Sequence, residues 1–107
     1  MTVQYVNDAD LETGIRESEV TMVDFTANWC PPCKALLPIL EELDGEYGER
    51  LSVMKVNVDE SPESAARYGI MSMPTVVIFK GGEAVEKLVG LRPKEVYTSL
   101  LSKYTAV

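Results

Sequence analysis

Residues 21–40, TMVDFTANWCPPCKALLPIL, contain the pattern that decides the fold of this chain. The segment Thr21 to Thr26 is a nearly continuous apolar run, which is typical of a strand buried on both faces. The helix predicted after it has one apolar stripe at helical spacing, formed by Cys33, Leu36, Leu37, Leu40 and Leu43. Cys30 lies between the two elements. The stretch therefore predicts a strand-to-helix junction with a pair of cysteines at its turn.

The rest of the chain alternates between strand-like and helix-like patterns. Further strands are predicted at residues 3–6, 51–58, 75–79 and 84–89, and further helices from Asn7 or Asp8, from Ser61-Pro62 to Gly69, and from Pro93, with Val96, Leu100 and Tyr104 on one face. Early alternation predicts parallel strands joined by right-handed crossovers, and a turn at Gly81-Gly82 adds antiparallel strands. We therefore expect an α/β fold with a mixed central sheet flanked by helices on both faces. Sites in such sheets gather at the carboxyl ends of parallel strands, where Cys30 lies.

Length and composition limit the classes of protein to which the chain can belong. With 107 residues, 46% hydrophobic and 25% charged, it is expected to form one domain over residues 1–107. Its net charge of −7 makes nucleic acids and anionic membranes unfavourable partners. The sequence has no apolar run of about 18 residues and no signal-peptide pattern, so a cytoplasmic location is expected. Histidine is absent, which excludes Cys-His and Ser-His-Asp catalysis in their usual forms.

The two cysteines are predicted to form a reversible redox pair. Positions i and i+3 in a first helical turn lie within reach of a disulfide, and so short a loop gains little stability from closure. Cys30 is expected to be the nucleophile, because free N–H groups and the helix dipole stabilise a thiolate at a helix N-terminus. Cys33, one turn inside, should be more buried and act as the resolving thiol. The alternative is a pair of unreactive core cysteines, and two thiolates alone do not complete a zinc site, so no metal is expected.

Asp24 is the second candidate site residue. It interrupts the apolar strand before the cysteines, and burial there would raise its pKa, which suits a general acid or base acting on Cys33. Lys55, in the neighbouring predicted strand, is a candidate for its buried partner. Two alternatives stay open: Asp24 points to solvent from one face of the sheet, and Lys55 is a solvent-facing residue.

Two other features near the cysteines have open interpretations. Trp29 is the only tryptophan, and it is either a core aromatic or a residue that shields Cys30 and contacts partners. The Met73–Pro74 bond precedes a β-branched strand. From the low frequency of cis X-Pro bonds, about 5%, this bond is predicted to be trans.

The chain resembles the thioredoxin family over essentially its whole length. The resemblance rests on motifs in the family's order and spacing: Asp24-Phe25, Trp29-Cys30-x-Pro32-Cys33-Lys34, Pro38, Lys55, Met73-Pro74-Thr75, Gly82 and Gly90. It implies a protein-disulfide reductase that is re-reduced by an NADPH-dependent thioredoxin reductase. No bound cofactor is implied beyond a redox-active Cys30–Cys33 disulfide. Disulfide-containing proteins are the implied clients, and a monomer is expected.

The resemblance also implies roles for individual residues. Cys30 would be the attacking thiol and Cys33 the resolving thiol, and Asp24 with Lys55 would be a buried pair that tunes proton transfer. A cis Met73–Pro74 bond is implied, against the frequency argument, and is adopted on family grounds. The substrate-binding patch around Cys30 would consist of Trp29, Met73, Pro74, Val89 and Gly90, beside the active-site turn of Pro31 and Pro32.

Two departures from the family pattern leave rival functions open. Pro31 stands where the family usually has Gly, and it removes an N–H donor near the thiols, which bears on the redox potential. Thr26 stands where the family often has Trp. An oxidase or isomerase therefore remains an alternative to a reductase. Two further alternatives are a redox-inactive binding module and a dimer bridged by a metal or cluster through two Cys30/Cys33 pairs.

Overall fold

The structure, a computed structural model, describes residues 3–105 and confirms the predicted α/β fold and order of elements. The strands are β1 Gln4–Tyr5, β2 Val20–Thr26, β3 Ser52–Asn57, β4 Thr75–Lys80 and β5 Glu83–Val89. The helices are α1 Asp8–Glu17, α2 Pro31–Tyr47, α3 Pro62–Arg67 and α4 Lys94–Tyr104, with a 3-10 turn at Gly48–Arg50. Within residues 3–105, no helix is long and apolar enough to cross a membrane.

The described strands form a mixed sheet with β2 at its centre. The strand order is β1-β3-β2-β4-β5. β3 is parallel to both β1 and β2, whereas β4 is antiparallel to β2 and β5. Every residue of β2 is buried, because strands flank it on both sides and helices cover both faces of the sheet. The prediction from its apolar run is therefore confirmed.

Alternate residues of β2 belong to two different hydrophobic layers. Val20 and Met22 pack in the layer beneath α2 and α4, whereas Val23 and Phe25 pack in the layer beneath α1. The first layer also contains Val3, Leu36, Leu40, Leu43, Leu51, Val53, Val76, Ile78, Leu88, Tyr97 and Leu101. The second layer also contains Leu11, Ile15, Val56, Val77 and Phe79. By the same alternation, Asp24 falls on the α2/α4 face of the sheet.

α2 carries the cysteine pair at its start. Cys30 is the N-cap residue, and Pro31 and Pro32 occupy the first helical turn, where a missing N–H breaks no intrahelical bond. The helix continues through Pro38. Gly48 follows its last residue with a φ of 55°, in the left-handed region that favours glycine.

The buried face of α4 differs from the predicted one by one residue. Tyr97 and Leu101 are fully buried. The residues predicted for that face are partly buried against the same layer: Val96, Leu100 and Tyr104. The observed pair and the predicted set both repeat every four residues, so helical periodicity alone does not show which of them faces the core. Tyr97 tolerates burial because its hydroxyl oxygen accepts a hydrogen bond from the Arg92 N–H at 3.3 Å.

α3 begins where the sequence predicted, but its N-terminus is satisfied by another helix. The Ser61 side chain makes no capping hydrogen bond. Asp8 of α1 instead accepts hydrogen bonds from the Ser64 N–H at 2.8 Å and from the Ser64 hydroxyl at 2.5 Å. These bonds, the hydroxyl one foremost, hold the pKa of Asp8 below its usual value. They also fix α1 against α3.

Replacing Leu40 by alanine tests the layer beneath α2. Leu40 is fully buried, so we expect Leu40→Ala to lower the free energy of unfolding by about 2–5 kcal/mol through lost apolar contacts and a residual cavity. Leu91 is 42% exposed, so Leu91→Ala is a matched control that should cost less than about 1 kcal/mol. Urea denaturation measures both. Equal losses for the two variants would contradict the assignment of Leu40 to the core.

Candidate active site

A disulfide between Cys30 and Cys33 lies at the junction of β2 and α2. The two Cα atoms are 5.1 Å apart, within the range that a disulfide bridges without moving the backbone. Cys33 is 2% exposed, whereas Cys30 is half-buried. An approaching molecule therefore meets the Cys30 sulfur first, with the Cys33 sulfur bonded behind it.

The start of α2 presents a hydrogen-bond donor to the Cys30 sulfur. The Cys33 N–H donates to Cys30 Sγ at 3.3 Å. Pro31 and Pro32 have no N–H, so Cys33 is the first residue of α2 that can donate. An N-cap side chain normally accepts a hydrogen bond from the N–H of the second or third helical residue. Pro31 is the first helical residue, so the N–H that it lacks would seldom have bonded to the cap. The first turn contains no acidic residue, which leaves the positive end of the helix dipole uncompensated beside the sulfur.

The loop before β4 meets Cys30 from another part of the chain. The carbonyl oxygen of Met73 lies 3.7 Å from Cys30 Sγ. The Met73–Pro74 bond is cis, so the frequency argument was wrong and the implication of the resemblance holds. Pro74 in turn accepts a hydrogen bond at its carbonyl oxygen from the Gly90 N–H at 2.8 Å. Gly90 has a φ of 89°, which favours glycine.

Apolar side chains flank this junction and face solvent. Trp29, which directly precedes Cys30, is 83% exposed, so the interpretation of Trp29 as a core aromatic is wrong. Val89, which directly precedes Gly90, is 49% exposed, and Met73 is half-buried. Exposed apolar residues grouped around an accessible disulfide are typical of a surface that binds another molecule.

Asp24 lies in the interior on the α2/α4 face of the sheet. Its side chain is fully buried, so the alternative in which it points to solvent is wrong. Neither carboxylate oxygen has a hydrogen-bond partner among residues 3–105. Burial raises the pKa of Asp24 from 3.8 to about 7, and the positive charge of Lys55 opposes this rise only in part. Asp24 therefore exchanges a proton near neutral pH.

Lys55 is next to Asp24 across the sheet, but it is not hydrogen-bonded to it. The two residues are register partners in the parallel pair of β2 and β3. Lys55 is half-buried rather than buried, and its Nζ lies over the ring of Tyr5, 4.3 Å from the centroid. Its influence on Asp24 is thus that of a nearby charge and not of a contact ion pair.

Sequence reasoning missed Tyr97, which lies on the same face as Asp24. Tyr97 is fully buried in the α2/α4 layer. Its pKa is raised, chiefly by burial, and the charge of Asp24 raises it further. No motif distinguished Tyr97 from the other apolar residues of α4, because its placement on the same face as Asp24 depends on how the helix is rotated.

The turn between β2 and α2 is held by two asparagines that the sequence analysis also missed. The Asn57 amide donates to Asn28 Oδ1 at 2.6 Å, and Asn57 Oδ1 accepts from the N–H groups of Asp59 at 2.9 Å and Glu60 at 3.2 Å. Asn57 is the last residue of β3. Its position at the carboxyl end of a parallel strand was the available signal, since polar residues there are placed toward the site.

Within residues 3–105, no group of three or more acidic or cysteine side chains is arranged to hold a metal ion. Both cysteine sulfurs are used by the disulfide in this structure. A cysteine binds a metal ion as its thiolate, so the oxidised pair offers no thiolate ligand.

Comparisons with known proteins agree on one family. The family model described as Thioredoxin matches residues 2–103. A thioredoxin of Staphylococcus epidermidis is 47% identical over 104 residues, which cover 97% of this chain and 99% of that protein. A thioredoxin of Staphylococcus aureus is 45% identical over the same coverage. The solved structure of a mutant thioredoxin from Halobacterium salinarum has a TM-score of 0.91 at 36% identity and covers 99% of this chain and 93% of its own.

Asp24→Asn tests the buried carboxyl through stability. Because the folded pKa of about 7 lies above the unfolded value near 3.8, ionising Asp24 destabilises the fold. The contribution of Asp24 to the stability of the wild-type protein should fall as pH rises from about 4 to about 7, whereas Asp24→Asn has no carboxyl to ionise at this position. The variant should therefore gain relative to wild type with rising pH, by as much as about 4 kcal/mol at pH 8.

Denaturant unfolding of the oxidised proteins at pH 4.5 and pH 8 measures this difference. Asp59→Asn, which also replaces a carboxyl by an amide but at an exposed position, is the matched control. A stability difference between Asp24→Asn and wild type that stays constant with pH would show that Asp24 does not titrate in this range.

Proposed function

The chain belongs to the thioredoxin family and is a protein-disulfide oxidoreductase, and we propose that it is a general reductase with a Cys30-Pro31-Pro32-Cys33 active site. One observation carries this proposal: a half-buried Cys30 sulfur at a helix N-terminus, bonded to a Cys33 that is 2% exposed. This asymmetry suits an attacking thiol in front and a resolving thiol behind.

In the first step, the reduced protein meets a substrate disulfide with the Cys30 thiolate. The Cys33 N–H and the helix dipole favour the negative charge on Cys30 Sγ. Cys30 Sγ bonds to one substrate sulfur, the substrate disulfide breaks, and the other substrate sulfur leaves as a thiolate. The product is a mixed disulfide between Cys30 and the substrate.

In the second step, Cys33 resolves the mixed disulfide. Its thiol proton passes to Asp24, directly or through water, because a carboxyl with a pKa of about 7 accepts a proton at neutral pH. Cys33 Sγ then attacks Cys30 Sγ, the Cys30–Cys33 disulfide forms, and the second substrate sulfur leaves as a thiolate. Two electrons have moved from the protein dithiol to the substrate. Lys55 tunes this transfer through its charge.

The apolar surface around Cys30 would hold the substrate during this exchange. The proposed patch consists of Trp29, Met73, Pro74, Val89 and Gly90. An extended substrate segment beside Met73 would add to the loop through backbone hydrogen bonds, in the manner of an added strand. The exposed Trp29 and Val89 would cover the mixed disulfide and exclude water.

The remaining assignments follow from the family. We propose that an NADPH-dependent thioredoxin reductase returns two electrons to the Cys30–Cys33 disulfide and that the clients are disulfide-containing proteins. We also propose that the protein is a cytoplasmic monomer and that residues 1–107 form a single domain. It would require no bound cofactor.

Serine variants of the two cysteines test the assigned order of attack. Cys30→Ser should abolish reduction of a protein disulfide such as that of insulin, because the attacking sulfur is lost. Cys33→Ser should instead accumulate a mixed disulfide through Cys30, visible by intact-protein mass spectrometry. Full function of Cys30→Ser in cells would show that the chain acts as a binding module. A mixed disulfide trapped by Cys30→Ser would show that Cys33 is the attacking thiol and Cys30 the resolving thiol.

The midpoint potential of the dithiol distinguishes a reductase from an oxidase. Pro31 removes only the N–H at the first helical position, and the Cys33 N–H still reaches Cys30 Sγ at 3.3 Å. We therefore expect a potential near that of a reducing thioredoxin, about −270 mV. Equilibration with glutathione or with a thioredoxin of known potential gives the value. A result near about −120 mV, as for a strong oxidant, would contradict the reductase assignment.

A further inference from the structure

Residues from five strands form one row across the sheet beside the active site. The register pairs Tyr5 with Lys55, Lys55 with Asp24 and Asp24 with Val76. The row ends at Leu88, the register partner of Val76. Register partners in neighbouring strands point to the same face of a sheet. Asp24 is therefore bounded by apolar side chains on its β4 side and by Lys55 and then Tyr5 on its β3 side.

Burial falls steadily along the β3 side of this row. Asp24 is fully buried, Lys55 is half-buried, and Tyr5 is 59% exposed. The Lys55 ammonium lies 4.3 Å from the centroid of the Tyr5 ring, which is the geometry of a cation–π interaction. β1 is only two residues long, and the Val6 N–H donates to the Lys55 carbonyl oxygen at 2.9 Å, which keeps Tyr5 in register with Lys55.

We propose that Tyr5 is a positioning residue for the exchange reaction, because its ring holds the Lys55 ammonium at the edge of the core and thereby keeps a positive charge beside the Asp24 carboxylate. The effect on turnover rests on the proposed role of Asp24 as proton acceptor. The effect on the ionisation of Asp24 does not depend on that role. Tyr5 touches neither the sulfurs nor the substrate patch in this arrangement and acts through Lys55.

The direction of the expected change in the Asp24 pKa depends on whether the Lys55 ammonium contacts the Tyr5 ring or water. A lysine ammonium is strongly hydrated and its stem is flexible, so Lys55 without the ring gains water and rotamer freedom at the β1 edge. A charge that moves into water is screened from a buried carboxylate. Ionised Asp24 then loses part of its stabilisation, and its pKa should rise. Movement of Lys55 toward Asp24 would instead lower that pKa, at the cost of desolvating the ammonium.

Other titratable groups that face Asp24 can be kept constant during the measurement. Tyr97 of α4 is neutral through pH 5–9, because burial raises its pKa above the ordinary value of 10.0. Cys33 of α2 does not titrate while it is disulfide-bonded. Among residues 3–105, Lys55 of β3 is the charged group that shifts the pKa of Asp24, and Tyr5 of β1 lies beyond it. The oxidised protein thus isolates the effect of Lys55 on Asp24.

The test follows the Asp24 carboxyl carbon by NMR as pH is varied in the oxidised protein. Tyr5→Leu should move the titration midpoint upward by about 0.5 pH unit, the shift that follows from losing part of one nearby charge. Tyr5→Phe keeps the ring and should retain the wild-type midpoint. Gln4→Leu is the matched control, since Gln4 is exposed on the same strand but points to the opposite face.

A double variant checks that the effect passes through Lys55. Lys55→Met should raise the midpoint by more than Tyr5→Leu does, and adding Tyr5→Leu to Lys55→Met should cause no further shift. An unchanged or lowered midpoint in Tyr5→Leu, or an equal further shift in the double variant, would overturn the proposal. Because no substrate is present, these results stand apart from the cysteine variants that test the proposed function.

Discussion

The structure of the site depends on one constraint, which is a carboxylate buried in the central strand without a hydrogen-bond partner among the described residues. Charged Asp24 in that position costs several kcal/mol relative to water. The fold does not remove this cost with a contact ion pair, because the Lys55 ammonium lies over Tyr5 instead. Asp24 is consequently poised between its two protonation states near neutral pH. A fully paired carboxylate would stay ionised and could not take up a proton there.

The central position of β2 explains why residues far apart in sequence meet at the cysteines. Phe25, near the end of β2, is the register partner of Thr75 at the start of β4, and Thr75 is the partner of Val89 at the end of β5. The antiparallel arrangement of these strands therefore brings the Met73–Pro74 loop and Gly90 to the edge from which α2 begins. Cys30 reaches Met73 at 3.7 Å because of this register and not because of local sequence.

Much of the fold was predictable because helical and strand periodicities are local properties. The apolar run at Thr21 to Thr26 predicted a doubly buried strand, and the structure agrees. The rotation of α4 about its axis was not predictable, because the apolar series that begin at Val96 and at Tyr97 have the same spacing. The hydrogen bond from the Arg92 N–H to the Tyr97 hydroxyl, which allows Tyr97 to be buried, does not show in that spacing. The disulfide between Cys30 and Cys33 was predictable from the spacing of the two residues. The position of the Lys55 ammonium was not, since it depends on Tyr5, a contact across strands 50 positions apart in sequence.

In the proline-rich turn, few N–H groups are available to stabilise negative charge on the Cys30 sulfur. Pro31 and Pro32 leave the Cys33 N–H as the first donor of α2, and that N–H already points at Cys30 Sγ. The donor belongs to the same residue whose sulfur forms the disulfide, so donor and resolving sulfur are positioned by one backbone unit. Proline also restricts the backbone of the turn in both redox states, so the conformational entropy of the turn changes less on oxidation. In the proposed mechanism, thiol exchange at Cys30 would therefore proceed with the backbone of the turn held in place, while Asp24 of β2 would accept the proton.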